Sequence, residues 1–226
     1  MDIHRVPVYA SLAWIAVLVS ACLLMLFVLQ PGLPVSGDPI TRIMYIQENV
    51  TIWRLGWYSW MLSAVGLLMF ALFLKAYVHP GSLVNIGIAL VGIGVLPDLA
   101  AEHIFKDILS KHWDISQAAD IARFEEYEML ATQLTGTIAN GAYNIGGLCL
   151  NAAMFANPNI PRWLTLAGIP AWILGLGLSL ATANAWMDAA YWFTASAMTL
   201  SILWCTSVIL ILFMQPERYM FRKAPV

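Results

Sequence analysis

Charge is what this chain has least of. Asp, Glu, Lys and Arg make up only 11% of its 226 residues and leave a net charge of −2. A soluble domain carries roughly 25% charged residues, and a nucleic-acid binder needs a basic surface, so both classes are excluded and no nucleic acid is expected as a partner. Cysteine is scarce as well: there are three. Cys22, Cys149 and Cys205 each sit inside a long apolar run, and none shares a short spacing with another cysteine or a histidine. They read as small packing residues, and neither a disulfide framework nor a zinc motif is expected. Histidine is equally rare, and His4, His79, His103 and His112 all lie at the ends of apolar runs or between them. Membrane haem takes paired histidines within helices, so haem is not expected. No Gly-x-Ser-x-Gly, phosphate loop or dinucleotide fingerprint occurs, and Gly92-Ile93-Gly94 reads as helix-packing glycine.

What the chain has in excess is apolar surface. Hydrophobic residues make up 61% and the mean hydropathy is +0.75, more than one core of this size can bury from water. The expectation is an all-α, polytopic transmembrane bundle forming a single integral membrane domain over 1–226. A helix crossing the hydrocarbon needs about 20 apolar residues. Six runs qualify: 8–29, 53–77, 82–109, 128–155, 163–183 and 188–215. Gln30-Pro31-Gly32, Pro80-Gly81, Pro158, Pro161 and Pro216 punctuate their limits. The first run is too long for a signal core and lacks a cleavage pattern, so it reads as a retained span. Two connections are long, 31–52 and 110–127. The second reads as a surface amphipathic helix between the third and fourth spans, with Ile115, Ala118, Ala119, Ile121 and Ala122 beside Asp114, Asp120 and Arg123.

Lys and Arg in short flanks orient such a bundle. With both termini cytoplasmic, that side holds Arg5, Lys75, Arg162, Arg218, Arg222 and Lys223, while every acid except Asp2 and Glu217 falls on the outer side. Trp53, Trp57, Trp60, Trp186, Tyr191 and Trp192 cluster near the outer ends and read as an interfacial belt; a ligand-stacking box is the alternative. Small residues form packing seams: Ala167, Ala171, Gly175, Ser179 and Ala183 on the fifth span, Gly56, Ser59, Ser63 and Gly66 on the second, and Gly87, Ala89, Gly92 and Gly94 on the third.

The fourth span is unusually polar. At about 100° per residue, Gln133, Thr137, Asn140, Asn144 and Asn151 fall within about 60° of one another. Unpaired polar groups in hydrocarbon cost several kcal/mol, so this face looks into the bundle, either for interhelical hydrogen bonds or to line a ligand-binding cavity. Asp98 lies about 24 Å along the third span from Ser82, within the hydrocarbon, where a carboxylate needs a partner. Arg54 is the geometric candidate, and the expected pair forms the floor of an outward cavity rimmed by Glu102, His103, Glu126 and Asp188. Asp98, Glu102 and Lys106 recur every fourth residue, with Glu102 and Lys106 in the favoured order for a salt bridge, and His103 and Asp107 form a second such pair. His112, Asp114, Glu125, Glu126 and Glu128 follow across the loop. This cluster reads as a solvated acidic face or as a divalent-metal site built on Glu102, His103 and Glu126.

The stretch Trp53-Arg54-Leu55-Gly56-Trp57-Tyr58-Ser59-Trp60-Met61-Leu62-Ser63-Ala64 resembles the second helix of uncharacterised small multi-pass bacterial membrane proteins. The resemblance implies a bacterial inner-membrane protein and no reaction. Two function classes remain. One is a bundle whose outward polar cavity, with Arg54, Asp98, Gln133, Thr137, Asn140 and Asn144, binds, senses or passes a small polar ligand or cation. The other is a metal-dependent membrane enzyme acting on a lipid. The lipid bilayer is the certain surrounding in either case, and assembly into an oligomer or larger membrane complex is open.

Overall fold

The computed structural model describes residues 6–78 and 80–219. Asp2, His4, Arg5, His79, Arg222 and Lys223 lie outside the described residues. Every regular element among the described residues is a helix, and no strand occurs there. α1 (Val6–Leu24) continues through a π turn (Met25–Leu29) and a tight turn to Gly32. α2 (Pro39–Glu48) and α3 (Val50–Leu74) follow, then α4 (Ser82–His103), prolonged by a π turn (Ile104–Ile108). α5 (Ala118–Thr132) and α6 (Asn140–Phe155) are joined by a π segment (Gln133–Ala139) into one unbroken rod. α7 (Arg162–Ala183), α8 (Met187–Val208) with its π turn (Ile209–Phe213), and α9 (Pro216–Tyr219) complete the chain.

Five helices are long and apolar enough to cross a membrane: Val6–Gly32, Val50–Leu74, Ser82–Ile108, Arg162–Ala183 and Met187–Phe213. They leave large apolar side chains uncovered around the bundle, among them Phe27, Leu96, Leu180 and Leu203. That much contiguous exposed hydrocarbon marks a surface made for lipid, which supports a membrane protein. The remaining expected run, the fourth (128–155), is helical but does not reach the same apolarity, because Asn140, Asn144 and Asn151 interrupt it.

Both long connections are structured. Within 31–52, Pro39 supplies the fixed φ of a first helical residue, and the Asp38 carboxylate accepts hydrogen bonds from the Thr41 amide (3.1 Å) and hydroxyl (2.7 Å). α2 then buries Ile43 and Ile46 against Trp53 and Phe105. The separate surface helix expected over 110–127 is corrected: its second half is the beginning of the rod. Phe124, Glu128 and Ala131 are buried there, so the charged residues form one outer face of a packed helix.

Close backbone approach holds the centre. A Cβ at Gly146 would stand 2.7 Å from the Gly87 carbonyl oxygen, and one at Gly87 would stand 2.9 Å from that of Gly146. Gly94 faces Tyr143, and Gly175 accepts Asn144 where any side chain would clash. Of the expected seams, Ala171, Gly175 and Ser179 are buried, whereas Ala167 and Ala183 are exposed and Gly92 has open space around it. The turns at one end of the bundle meet at Asn157, which is 2% exposed. Its amide donates to the carbonyls of Tyr77 (2.7 Å) and Tyr219 (3.3 Å), tying together the chain after α3, after α6 and within α9. The described chain ends therefore share this end, and the linkers 33–49, 109–117 and 184–186 lie at the other.

Candidate functional site

The end of the bundle away from Asn157 is hollow. A cavity of about 290 Å³ opens between the last turns of α1, the first turns of α3, the end of α4, the π segment of the rod, and the facing ends of α7 and α8. Small-molecule sites begin near this size, at roughly 300 Å³. Carbon dominates its wall, through Met25, Leu26, Leu33, Phe105, Leu178 and Met198, and Glu102, Trp57, Trp60, Thr135 and Asn140 interrupt it.

The polar groups begin with α4. Asp98 and Glu102 stand one turn apart on the same face and are buried, at 8% and 2% exposure. Asp98 is satisfied from the rod: the Thr135 hydroxyl donates to Oδ1 (2.5 Å) and the Tyr143 hydroxyl to Oδ2 (3.0 Å). The π segment makes this reach available. Its wide turn lets the Asn140 amide fold back onto the Thr135 carbonyl (2.9 Å), and the Asn144 amide then donates to the Asn140 carbonyl (2.6 Å). Glu102 is treated differently. Its Oε2 is buried without a hydrogen-bond partner among the described residues, as are the indole nitrogens of Trp57 and Trp60. All three residues line the cavity. Native interiors leave few polar groups unpaired, and each costs about 1–3 kcal/mol when they do. Three of them fall on residues that line one cavity.

Several expectations need correction. Arg54 and Asp98 form no pair. α4 runs on through its π turn, and Arg54, itself exposed, meets that continuation instead, donating to Ser110 Oγ (3.1 Å) and the Lys106 carbonyl (3.4 Å). It shares the Lys106 carbonyl with the Ser110 hydroxyl at a helix C-terminus, where a cation is favoured. The Glu102–Lys106 bridge is also absent, because the π turn from Ile104 rotates Lys106 away from Glu102. Lys106 Nζ bonds Asp107 (2.6 Å) and the Tyr58 hydroxyl (3.2 Å) and lies over the Tyr58 ring. His103 and Asp107 do meet, at 2.8 Å.

The residues named for a metal do not converge. Glu102 is buried, His103 and Glu126 are exposed, and no group of three His, Cys, Asp or Glu side chains able to hold an ion occurs among the described residues. Gln133 is exposed as well, Thr137 and Asn140 are half-buried, and Asn144 is buried beside Gly175. Asp188 is exposed. Trp53 and Trp57 belong to the interior rather than an interfacial belt: the Trp53 indole donates to the Phe105 carbonyl (2.7 Å), and Trp57 stacks on Phe105 at 4.1 Å. Trp186 and Trp192 are exposed as a belt requires.

Sequence reasoning missed one strong contact. Arg42 on α2 grips Glu128 on α5 in a bidentate pair, Nη2 to Oε2 at 2.6 Å and Nε to Oε1 at 2.9 Å, with side chains 6% and 5% exposed. Arg42 also donates to the Gly37 carbonyl. This pair fastens the 33–49 linker, whose Leu33, Pro34 and Val35 line the cavity, to the rod. The available signal was weak: an Arg inside a short amphipathic helix with an acid far along the chain. The chain matches no family model, and comparison with curated proteins and with solved structures likewise returns no match.

Proposed function

We propose that this chain is a six-span bundle of a bacterial inner membrane, with both termini cytoplasmic, whose outward half binds, senses or passes a small ligand. One observation carries the reading: the cavity at the end remote from Asn157, whose wall includes Glu102, a buried carboxylate with one unpartnered oxygen, beside two tryptophans whose indole nitrogens are unpartnered. Support for the sixth span comes from α6. It lies against α4 backbone to backbone at Gly87 and Gly146, and so shares the depth of an apolar spanning helix. Ile138 on the π segment before it and Ile145 on α6, two turns apart, are exposed like the lipid-facing residues of the other spans. The inner membrane is the placement that the resemblance of residues 53–64 implies, and the short-flank Lys and Arg favour cytoplasmic termini.

Cys22 lines the cavity and provides a direct test. In a chain with Cys149→Ala and Cys205→Ala, a small charged thiol reagent is added to either face of sealed vesicles. Modification of Cys22 from the outer face alone is expected. Protection from both faces removes the hydrated cavity, and modification from the cytoplasmic face reverses the orientation.

A further inference from the structure

We infer that the cavity takes an organic ammonium ion with an apolar body and a neighbouring oxygen acceptor, in the manner of an aryl amino alcohol, with Glu102 as its counterion. The inference rests on the binding reading above and adds the ligand's chemical class.

The donor and acceptor inventory of the wall decides the charge. Thr182, Thr194 and Thr199 line the cavity, yet each hydroxyl proton is already given to its own helix, to the carbonyls of Leu178 (3.0 Å), Ala190 (2.8 Å) and Ala195 (2.8 Å). Thr135 gives its proton to Asp98, and the Asn140 amide gives one to the Thr135 carbonyl. These groups have lone pairs left to offer, and Glu102 adds a carboxylate oxygen. The free lone pairs gathered with Glu102 suit a ligand that brings several N–H donors and a positive charge, while Gln30, Thr132 and Tyr191 in the same wall carry groups able to donate to the ligand's oxygen. No Lys or Arg lies within salt-bridge reach of Glu102 among the described residues, so the ligand itself supplies the counter-charge that a buried carboxylate needs.

The remaining features define the rest of the molecule. Trp57 and Trp60 each leave an indole N–H unpartnered, which calls for one acceptor atom close to the ammonium. The mostly carbon wall and about 290 Å³ of space take an apolar body of one ring or a short chain. A bare inorganic cation is disfavoured, because hard cations take about six or more oxygen ligands and this wall offers mainly carbon. Trp60 and Tyr191 in the lining add aromatic rings, which attract ammonium groups. Exposed Glu125, Glu126 and Asp188 at the same end give the approach a cation-attracting field.

Three probes sharing one phenylcarbinol body separate the possibilities: phenylethanolamine (cationic), styrene glycol (neutral) and mandelate (anionic). Binding of each to the full chain in nanodiscs is measured by calorimetry against empty nanodiscs, and by slowing of Cys22 modification. The amine is expected to bind at least about tenfold tighter than the glycol, with mandelate weakest. Glu102→Gln is expected to erase that preference, weakening the amine far more than the glycol. Trp60→Phe, which keeps an aromatic ring in place, is expected to narrow the advantage of phenylethanolamine over phenethylamine, which lacks the hydroxyl. Equal binding of amine and glycol, with Cys22 protected by both, overturns the ammonium assignment and leaves a ligand cavity standing. An amine preference that survives Glu102→Gln overturns Glu102 as the counterion. A reactive Cys22 that none of the three probes protects overturns the ligand class, and a Cys22 that never reacts overturns the cavity reading beneath it.

Discussion

Breaking the Arg42–Glu128 pair from one side is expected to destabilise the bundle by about 3–5 kcal/mol, because the abandoned partner stays buried as an uncompensated charge. The geometry supports the upper part of that range. Both side chains are about nineteen-twentieths covered, and two charge-assisted bonds at 2.6 and 2.9 Å are lost together. Arg42→Met also gives up the bond to the Gly37 carbonyl, a smaller loss of at most about 0.5–1.5 kcal/mol because Gly37 is exposed and water takes the donor's place. The double variant Arg42→Met, Glu128→Leu removes both charges and places two apolar side chains in their stead. It should therefore be less damaged than the sum of the singles by about 2 kcal/mol or more. Reversible unfolding in mixed micelles, followed by far-ultraviolet circular dichroism, measures all three. Agreement of the double variant with the sum to within about 0.5 kcal/mol refutes the pair as an energetic unit and reduces it to two independent surface contacts.

Gly146→Ala is expected to cost about 1–3 kcal/mol of thermal stability in detergent, since its new Cβ meets the Gly87 carbonyl oxygen at 2.7 Å and backbone cannot step aside. Gly92→Ala, with its nearest neighbour at 3.8 Å, is expected to be neutral or to gain up to about 1 kcal/mol from helix propensity; equal effects at the two glycines contradict the packing account. The Thr41 hydroxyl, followed by the Thr41 amide, holds the Asp38 carboxyl below its ordinary value of 3.8. A lowered folded-state value means that Asp38 contributes to the start of α2 at neutral pH and stops doing so as pH falls from 3.8 through the lowered value. Amide-exchange protection in the first turn of α2 is expected to drop in that window and to lose its pH dependence in Asp38→Asn; constant protection in the native chain refutes the cap.

The helices were legible because their signals are local. Pro31-Gly32, Pro161 and Pro216 cannot continue a helix, and the structure turns at each of them. That Asp98 and Glu102 share one face was legible too, from their four-residue spacing, whereas Glu102 is buried where a rim or a solvated acidic face was expected. The polar face of the rod was read correctly only on one side of its π segment. Asn144 and Asn151 are buried, while Gln133, at the start of that segment, is exposed, because each wide turn advances the phase by less than an α turn does. Nothing in the composition of 133–139 announces that widening. The same effect at Ile104–Ile108 turned Lys106 from Glu102 towards Tyr58 and left Glu102 Oε2 without a partner among the described residues. Arg54 was misplaced for a related reason: its partner is a prolonged helix end rather than a side chain, and helix length past a π turn is set by packing against Trp53 and Trp57.

Asn157 gives the bundle a mechanical character. One amide rivets the turns after α3 and α6 and the short helix α9 at a single point, so these parts cannot separate there without stranding a buried donor. Opposite, the wall of the cavity is interrupted and the 33–49 linker lies across it under one clasp. Motion of the spans then has a fulcrum, and displacement grows along their length as it does along the blades of a fan. α8 has 22 residues, or about 33 Å of lever arm, so a tilt of only about 5° at the riveted end swings its far end by about 3 Å. That is close to the width of a methylene chain. For the ligand proposed above, entry and release are then expected at the end remote from Asn157, with the turns at the pivot staying still.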